Sequence, residues 1–123
     1  MSWSEFLLSF KGRVGRKLYW IFWLIQTVVS FSAIAFSVII EYLALPPIII
    51  IVFSFAFIGV MAWSYLAVHV KRWHDRGKSG WWMLIGLIPF FGGLWTLVEC
   101  GFLRGTEGPN RFGDAPQAPP TFA

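Results

Sequence analysis

No aspartate, glutamate, lysine or arginine stands between Leu18 and Ile40 or between Ile48 and Val70. Charge is scarce throughout, at 13% of residues against 57% hydrophobic. A soluble chain of this size has too little interior to hide so much apolar surface, so a water-soluble globular class is excluded and the bilayer is the expected solvent. Cysteine is nearly missing as well. Cys100 stands alone, which excludes an internal disulfide and an all-cysteine metal site within one chain. Signatures of chemistry are equally thin. Gly77-Lys78-Ser79 lacks the glycine five residues ahead of Gly77 and the preceding strand that a phosphate loop needs. No Ser or Cys lies in a nucleophile motif, and His69 and His74 are too poorly spaced to clasp a metal from one helix face. No metal, cofactor or catalytic residue is expected, and no nucleic-acid recognition module accompanies the net charge of +4.

What is present is apolar length. Leu18–Ile40 and Ile48–Val70 are each long enough, at about 1.5 Å per residue, to cross a hydrocarbon core of roughly 30 Å as a helix. Ala33-Ile34-Ala35 looks like a leader cleavage site, but the apolar run continues past it and a second span follows, so an anchored helix is expected. Gln26, Ser30, Ala33, Ser37 and Glu41 share one face of the first helix, which should meet another helix. Leu45-Pro46-Pro47 ends it. A third run, Trp81–Leu103, is interrupted by Pro89 and Gly92-Gly93; its length suits one kinked span, with a re-entrant hairpin as the competing form. On a straight third span Glu99 would lie near the outer headgroups and need no partner. Ahead of all three, Trp3, Phe6, Leu7 and Phe10 recur at helical spacing, as a short interfacial helix would place them. The expected fold is all-α: an integral membrane protein with three transmembrane elements, the third kinked or re-entrant, and a short N-terminal interfacial helix. Residues 1–114 form one domain and 115–123 a Pro-rich disordered tail.

The cations are segregated. Four precede the first span, four follow the second, two lie in the tail and none stands in the Glu41–Pro47 connection. By the positive-inside rule the N-terminus and the central loop are cytoplasmic and the Pro46-Pro47 turn is outside. The densest polar stretch is Val70–Trp82, with four cations, the adjacent His74-Asp75 and three tryptophans.

Three blocks carry a resemblance: Phe10-x-Gly12-Arg13-x-x-Arg16-x-x-Tyr19-Trp20; Arg72-Trp73-His74-Asp75-Arg76-Gly77-Lys78-Ser79-Gly80-Trp81-Trp82; and Gly105-Thr106-x-Gly108-x-Asn110-Arg111-Phe112-Gly113. In order and spacing they resemble the YhaH-like family of small bacterial inner-membrane proteins, a domain-of-unknown-function family, from Phe10 to about Pro116. Trp73 and Arg76 depart from it, standing where that family usually has aliphatic or apolar residues. The resemblance implies an integral inner-membrane protein and no particular activity.

The site residues follow from charge and depth. Asp75 is expected to accept from Arg13, Arg16 or Arg72, with His74 or Asn110 completing a polar cap. Guanidinium pairs bidentately with carboxylate and phosphate alike, so Arg13, Arg16, Arg72, His74, Asp75, Arg76, Lys78, Trp81, Trp82, Asn110 and Arg111 are the expected contacts to lipid headgroups or a docked partner. His69, near the cytoplasmic end of the second span, is expected to be a packing histidine that hydrogen-bonds a neighbour. The leading function is a non-enzymatic inner-membrane protein whose basic loops bind anionic lipid or dock a membrane partner. An oligomeric transporter or channel subunit is the alternative. A lipid-headgroup enzyme using His74 and Asp75 comes third, because adjacent residues on a helix point in different directions.

Overall fold

The computed structural model describes residues 2–120, so Met1 and the last three residues of the Pro-rich tail lie outside the described residues. Among the described residues every extended element is helical, and the only bridge of strand type is the isolated pair Asn110–Gly113. Helix α1 (Trp3–Leu8) starts from a capping box, in which the Ser2 hydroxyl accepts from the Glu5 amide and the Glu5 carboxylate accepts from the Ser2 amide. Its apolar face does not lie free on a surface. Phe6 is fully buried, and Trp63 of the next-but-one helix donates its indole N–H to the Leu8 carbonyl at 2.9 Å.

Two long helices follow, α2 (Arg16–Tyr42, 27 residues) and α3 (Pro47–Asp75, 29 residues). At 1.5 Å per residue they measure about 40 and 43 Å, so each can cross a core of roughly 30 Å and still project about 10 Å. Pro47 occupies the first turn of α3, where its missing N–H costs nothing. Only 6% of the most apolar window of each helix is buried. That rules out the core helix of a soluble protein, whose apolar face would be covered by other elements. Ser30, Ala33 and Ser37 do face α3, lining with Phe53, Ser54 and Phe57 a groove of about 270 Å³. Glu41, at the end of that stripe, is exposed.

Almost all buried side chains gather at the charged end of the helix pair: Leu18, Tyr19 and Phe22 of α2, Ala67, Val68 and Trp73 of α3, with Phe6, Val14 and Cys100. At the far end Ile40 alone is buried among the described residues.

Helix α3 stops in a Schellman turn. Gly77 takes φ +76°, its amide donates to the His74 carbonyl at 2.9 Å, and the Lys78 amide donates to the Trp73 carbonyl at 2.9 Å. A residue with a Cβ would be strained there. The chain then runs as a 3₁₀ helix (Gly80–Leu87), turns, and returns as α4 (Phe91–Thr96) and one π-helical turn (Leu97–Phe102). The reversal is a γ-turn at Phe90, with φ 63° and ψ −60° and the Phe91 amide donating to the Pro89 carbonyl at 2.7 Å.

This shape differs from the single kinked span that length suggested. Lys78 before the apolar run and Glu99 near its end touch, with Nζ 2.7 Å from Oε1. The third element is a helical hairpin whose two feet stand at the charged end of α2 and α3. Glu99 is correspondingly buried and paired, not free at the opposite membrane face.

Candidate functional site

The charged end is organised by Asp75, the last residue of α3. Its Oδ1 accepts from Arg13 Nε at 3.0 Å and its Oδ2 from Arg72 Nη1 at 2.5 Å, and all three side chains are closed to solvent. Two buried guanidiniums sharing one carboxylate leave a surplus positive charge, and burial of such charge is tolerated only where further acceptors surround it. Six backbone carbonyls do so. Arg13 donates to Thr106, Gly108 and Gly113, and Arg72 donates to Val14, Cys100 and Leu103. The first and second sequence blocks thus supply the charges, and the third supplies three of the carbonyls. Asn110 extends the junction by donating from Nδ2 to the His74 carbonyl at 2.9 Å, and the Thr106 amide donates to the Asp75 carbonyl at 2.6 Å.

A second task of this end is to cap the hairpin. The last turn of its returning leg has carbonyls with no helical partner, and a cation or N–H donor there is favoured by the end of the helix dipole. Arg72 takes the Cys100 and Leu103 carbonyls, Trp20 Nε1 donates to Gly101 at 2.8 Å, and Arg16 Nη1 donates to Phe102 at 3.0 Å. Arg16 was expected on Asp75. Its place at the first turn of α2 points it to the hairpin foot instead.

Glu99 anchors a neighbouring network. Arg76 Nε lies 2.9 Å from Oε2, Arg76 also donates to the Arg104 carbonyl, and the Lys78 ammonium lies 4.6 Å from the Trp82 ring centre. Burial alone would raise the Glu99 pKa, but the hydrogen bonds and charges of Lys78 and Arg76 outweigh it and hold the carboxyl below its ordinary value. It is an ionised tie between hairpin and loop.

His74 and Asp75 do not form an acid-base pair. His74 Nδ1 lies 3.0 Å from the Gly12 carbonyl and its ring stacks on Phe112 at 4.0 Å, nearly parallel, while the Asp75 carboxylate is taken up by two arginines. His69 packs as expected, with Nδ1 2.8 Å from the Tyr65 carbonyl and Nε2 3.3 Å from the Tyr19 hydroxyl. Trp82 stacks on Trp73, whereas Trp81 and Arg111 are exposed, Arg111 lying over the Phe112 ring. Among the described residues no cluster of His, Cys, Asp and Glu is arranged to hold a metal ion.

Two residues of this end escaped the sequence reading. Lys71, fully buried, donates to the Glu5 and Phe6 carbonyls and so fastens α1 to α3. Trp20, which closes the first block, caps the hairpin through its indole N–H. The signal available for Lys71 was its position one residue ahead of the second block, directly after the apolar run.

These features define a helical membrane protein with a polar junction at one end, and the comparisons with known proteins give the family. Residues 7–114 match the family described as "Protein of unknown function (DUF805)", and the chain belongs to it. It is 33% identical to the inner membrane protein YhaH of Escherichia coli (strain K12) over 92% of this chain and 91% of that protein. It is 36% identical to the inner membrane protein YhaI of the same strain, over 89% of this chain and 87% of that protein. The uncharacterized protein YiiR is 30% identical, over 92% of this chain and 89% of that protein. No solved structure matches. The expected membership is therefore established, and the membrane character agrees with the two exposed apolar helices.

Proposed function

We propose that this chain is a two-span inner-membrane protein with a re-entrant hairpin, whose N-terminus, central loop and tail face the cytoplasm and whose basic end docks on anionic lipid headgroups. The observation carrying this reading is a division of labour among cations. Arg13, Arg72, Arg76 and Lys78 are bound to Asp75 and Glu99. Lys11, Arg16, Lys17, Arg104 and Arg111 are exposed at the same end. Among the described residues, Arg104 alone of these five has a carboxylate partner, the equally exposed Glu107. Each free juxtamembrane cation contributes on the order of 1 kcal/mol towards an anionic surface. The internal cations build the platform, and the exposed ones meet the lipid. No reaction is proposed, because the adjacent acid and base serve structure.

The test is lipid retention. The protein is extracted into polymer nanodiscs from vesicles of mixed phosphatidylglycerol and phosphatidylcholine, and the retained lipids are quantified. Enrichment of the anionic lipid is expected, and most of it should be lost when Lys11, Lys17, Arg104 and Arg111 are changed to Gln. High salt should mimic that loss, because the Debye length falls to roughly 3 Å at 1 M. Enrichment unchanged in the Gln variant would defeat the reading. A protein partner lost from cell membranes with no change in lipid would replace headgroup docking by partner docking.

A further inference from the structure

The turn of the hairpin places irregular backbone at membrane depth. Counted from the hydrogen bond between Trp20 and the Gly101 carbonyl, Gly93 stands about 12 Å up the returning leg at 1.5 Å per residue, inside a hydrocarbon core of roughly 30 Å. Two backbone groups of this turn have no partner among the described residues. The donor that a 3₁₀ helix brings to the Gly86 carbonyl is the amide of residue 89, which is proline, and the Phe90 amide does not take its place. The Gly93 amide is passed over as well: Gly92 donates to the Ile88 carbonyl and Leu94 to that of Phe90, but Gly93 makes no such bond to Pro89. Both glycines are exposed, and a glycine exposes only backbone. They belong to one patch, because a Cβ on Gly92 would lie 3.2 Å from Gly86 Cα. Backbone left open at that depth is tolerated only where protein or a water-filled space covers it. Leu87, Ile88, Phe90 and Phe91 surround the patch, all exposed and apolar, so the cover that fits is protein.

Helix α2 carries the complement. Gln26 stands about 9 Å above Trp20 on the same count, within one helical turn of the level of Gly93. Its carboxamide has no hydrogen-bond partner among the described residues, whereas Thr27, Ser32 and Ser37 return their hydroxyls to carbonyls of their own helix. It opens on a shallow recess of about 220 Å³ walled entirely by α2, through Trp23, Gln26, Thr27, Ser30, Phe31 and Ile34. Within one copy the two surfaces stay apart, because α2 touches the hairpin only at its π-helical foot. Between copies they can meet. The basic end gives every inserted copy the same orientation, and symmetry about an axis along the membrane normal leaves each atom at its own depth. Only groups of equal depth then come together, which is how the recess and the tip stand. A carboxamide offers one acceptor and donors, matching a free amide and a free carbonyl.

We infer that the hairpin tip of one copy seats in the α2 recess of a second copy of this chain. There Gln26 of the second copy accepts from the Gly93 amide and donates to the Gly86 carbonyl, and Phe91 enters the recess. The inference rests on the re-entrant reading of the hairpin, and the two fail separately. A cysteine at position 107 labelled from outside removes the re-entrant reading. Cytoplasmic labelling there, with no contact between copies, removes this inference alone.

The experiment is photocrosslinking in membranes. The full chain with p-benzoylphenylalanine in place of the exposed Phe91 is co-expressed with a wild-type copy that bears a different tag, and the membranes are irradiated. A species of twice the mass carrying both tags is expected, with the adduct mapped by mass spectrometry to residues 23–34 of the second copy. Gln26→Leu in that copy should lower the two-tag yield roughly threefold to tenfold, the range for losing an interhelical polar contact in a membrane. Thr27→Phe should lower it comparably by filling the recess from an exposed position whose hydroxyl bonds only its own helix. Gln26 has no partner to lose within its own copy, so an unchanged melting temperature in detergent is the folding control. Adducts confined to lipid or to another protein, or a two-tag yield indifferent to both substitutions, would overturn the inference.

Discussion

Replacing Asp75 by Ala is expected to lower the stability of the protein in detergent by about 3–5 kcal/mol, the range for removing one partner from a buried ion pair. The reason is what remains behind. Arg13 and Arg72 are both closed to solvent, and without the carboxylate two like charges face each other across the vacated space with carbonyl dipoles alone for compensation. Lys78→Ala should cost far less, because Glu99 keeps Arg76 and both the Lys78 and Arg76 side chains are partly open to solvent. Reversible denaturant unfolding of the two variants measures the difference, and equal losses would mean that Asp75 is not the centre of the junction.

Gly105→Ala is expected to be nearly as severe, at about 3 kcal/mol or more, for a steric reason at the same place. A Cβ on Gly105 would lie 1.9 Å from Asp75 Oδ2 and 2.9 Å from the Asp75 carbonyl oxygen, the atom that accepts from the Thr106 amide. Either the carboxylate leaves its arginines or the third block lifts off the first two. The two substitutions should couple, because removing the carboxylate also removes the nearest clash, so the double variant should lose less than the sum of the singles. Gly59→Ala supplies the control. Nothing lies within 4 Å of a Cβ there, and alanine in the middle of α3 should be neutral or slightly stabilising. Additive losses in the double variant would show that Gly105 does not pack against Asp75.

Where the sequence spoke through local chemistry, it was readable. Two charge-free runs of spanning length became α2 and α3, and the lone carboxylate among the second block's cations pointed to Asp75 as a shared acceptor. What it hid was long-range. The Trp81–Leu103 run is long enough for a span, and its Pro89 and Gly92-Gly93 interruption left a kinked span and a hairpin both open; the pairing of Glu99 with Arg76 and Lys78 decides for the hairpin. The same limit explains Arg16, which lies close to Arg13 in sequence yet reaches the Phe102 carbonyl. It also explains the exposed and internal cations, which look alike in a charge count and separate only once their partners are known.

On the topology proposed above, α2 and α3 alone cross the membrane and the hairpin returns all three sequence blocks to one side. Sided thiol labelling tests it most directly, with single cysteines at Lys11, Ser79, Glu107 and Leu45 in a Cys100→Ser background, probed in intact cells and in inverted vesicles with a membrane-impermeant maleimide. Positions 11, 79 and 107 are expected to react together from the cytoplasmic face and position 45 from the opposite face. Labelling of position 107 with position 45 would make the third element a full span and overturn the two-span topology.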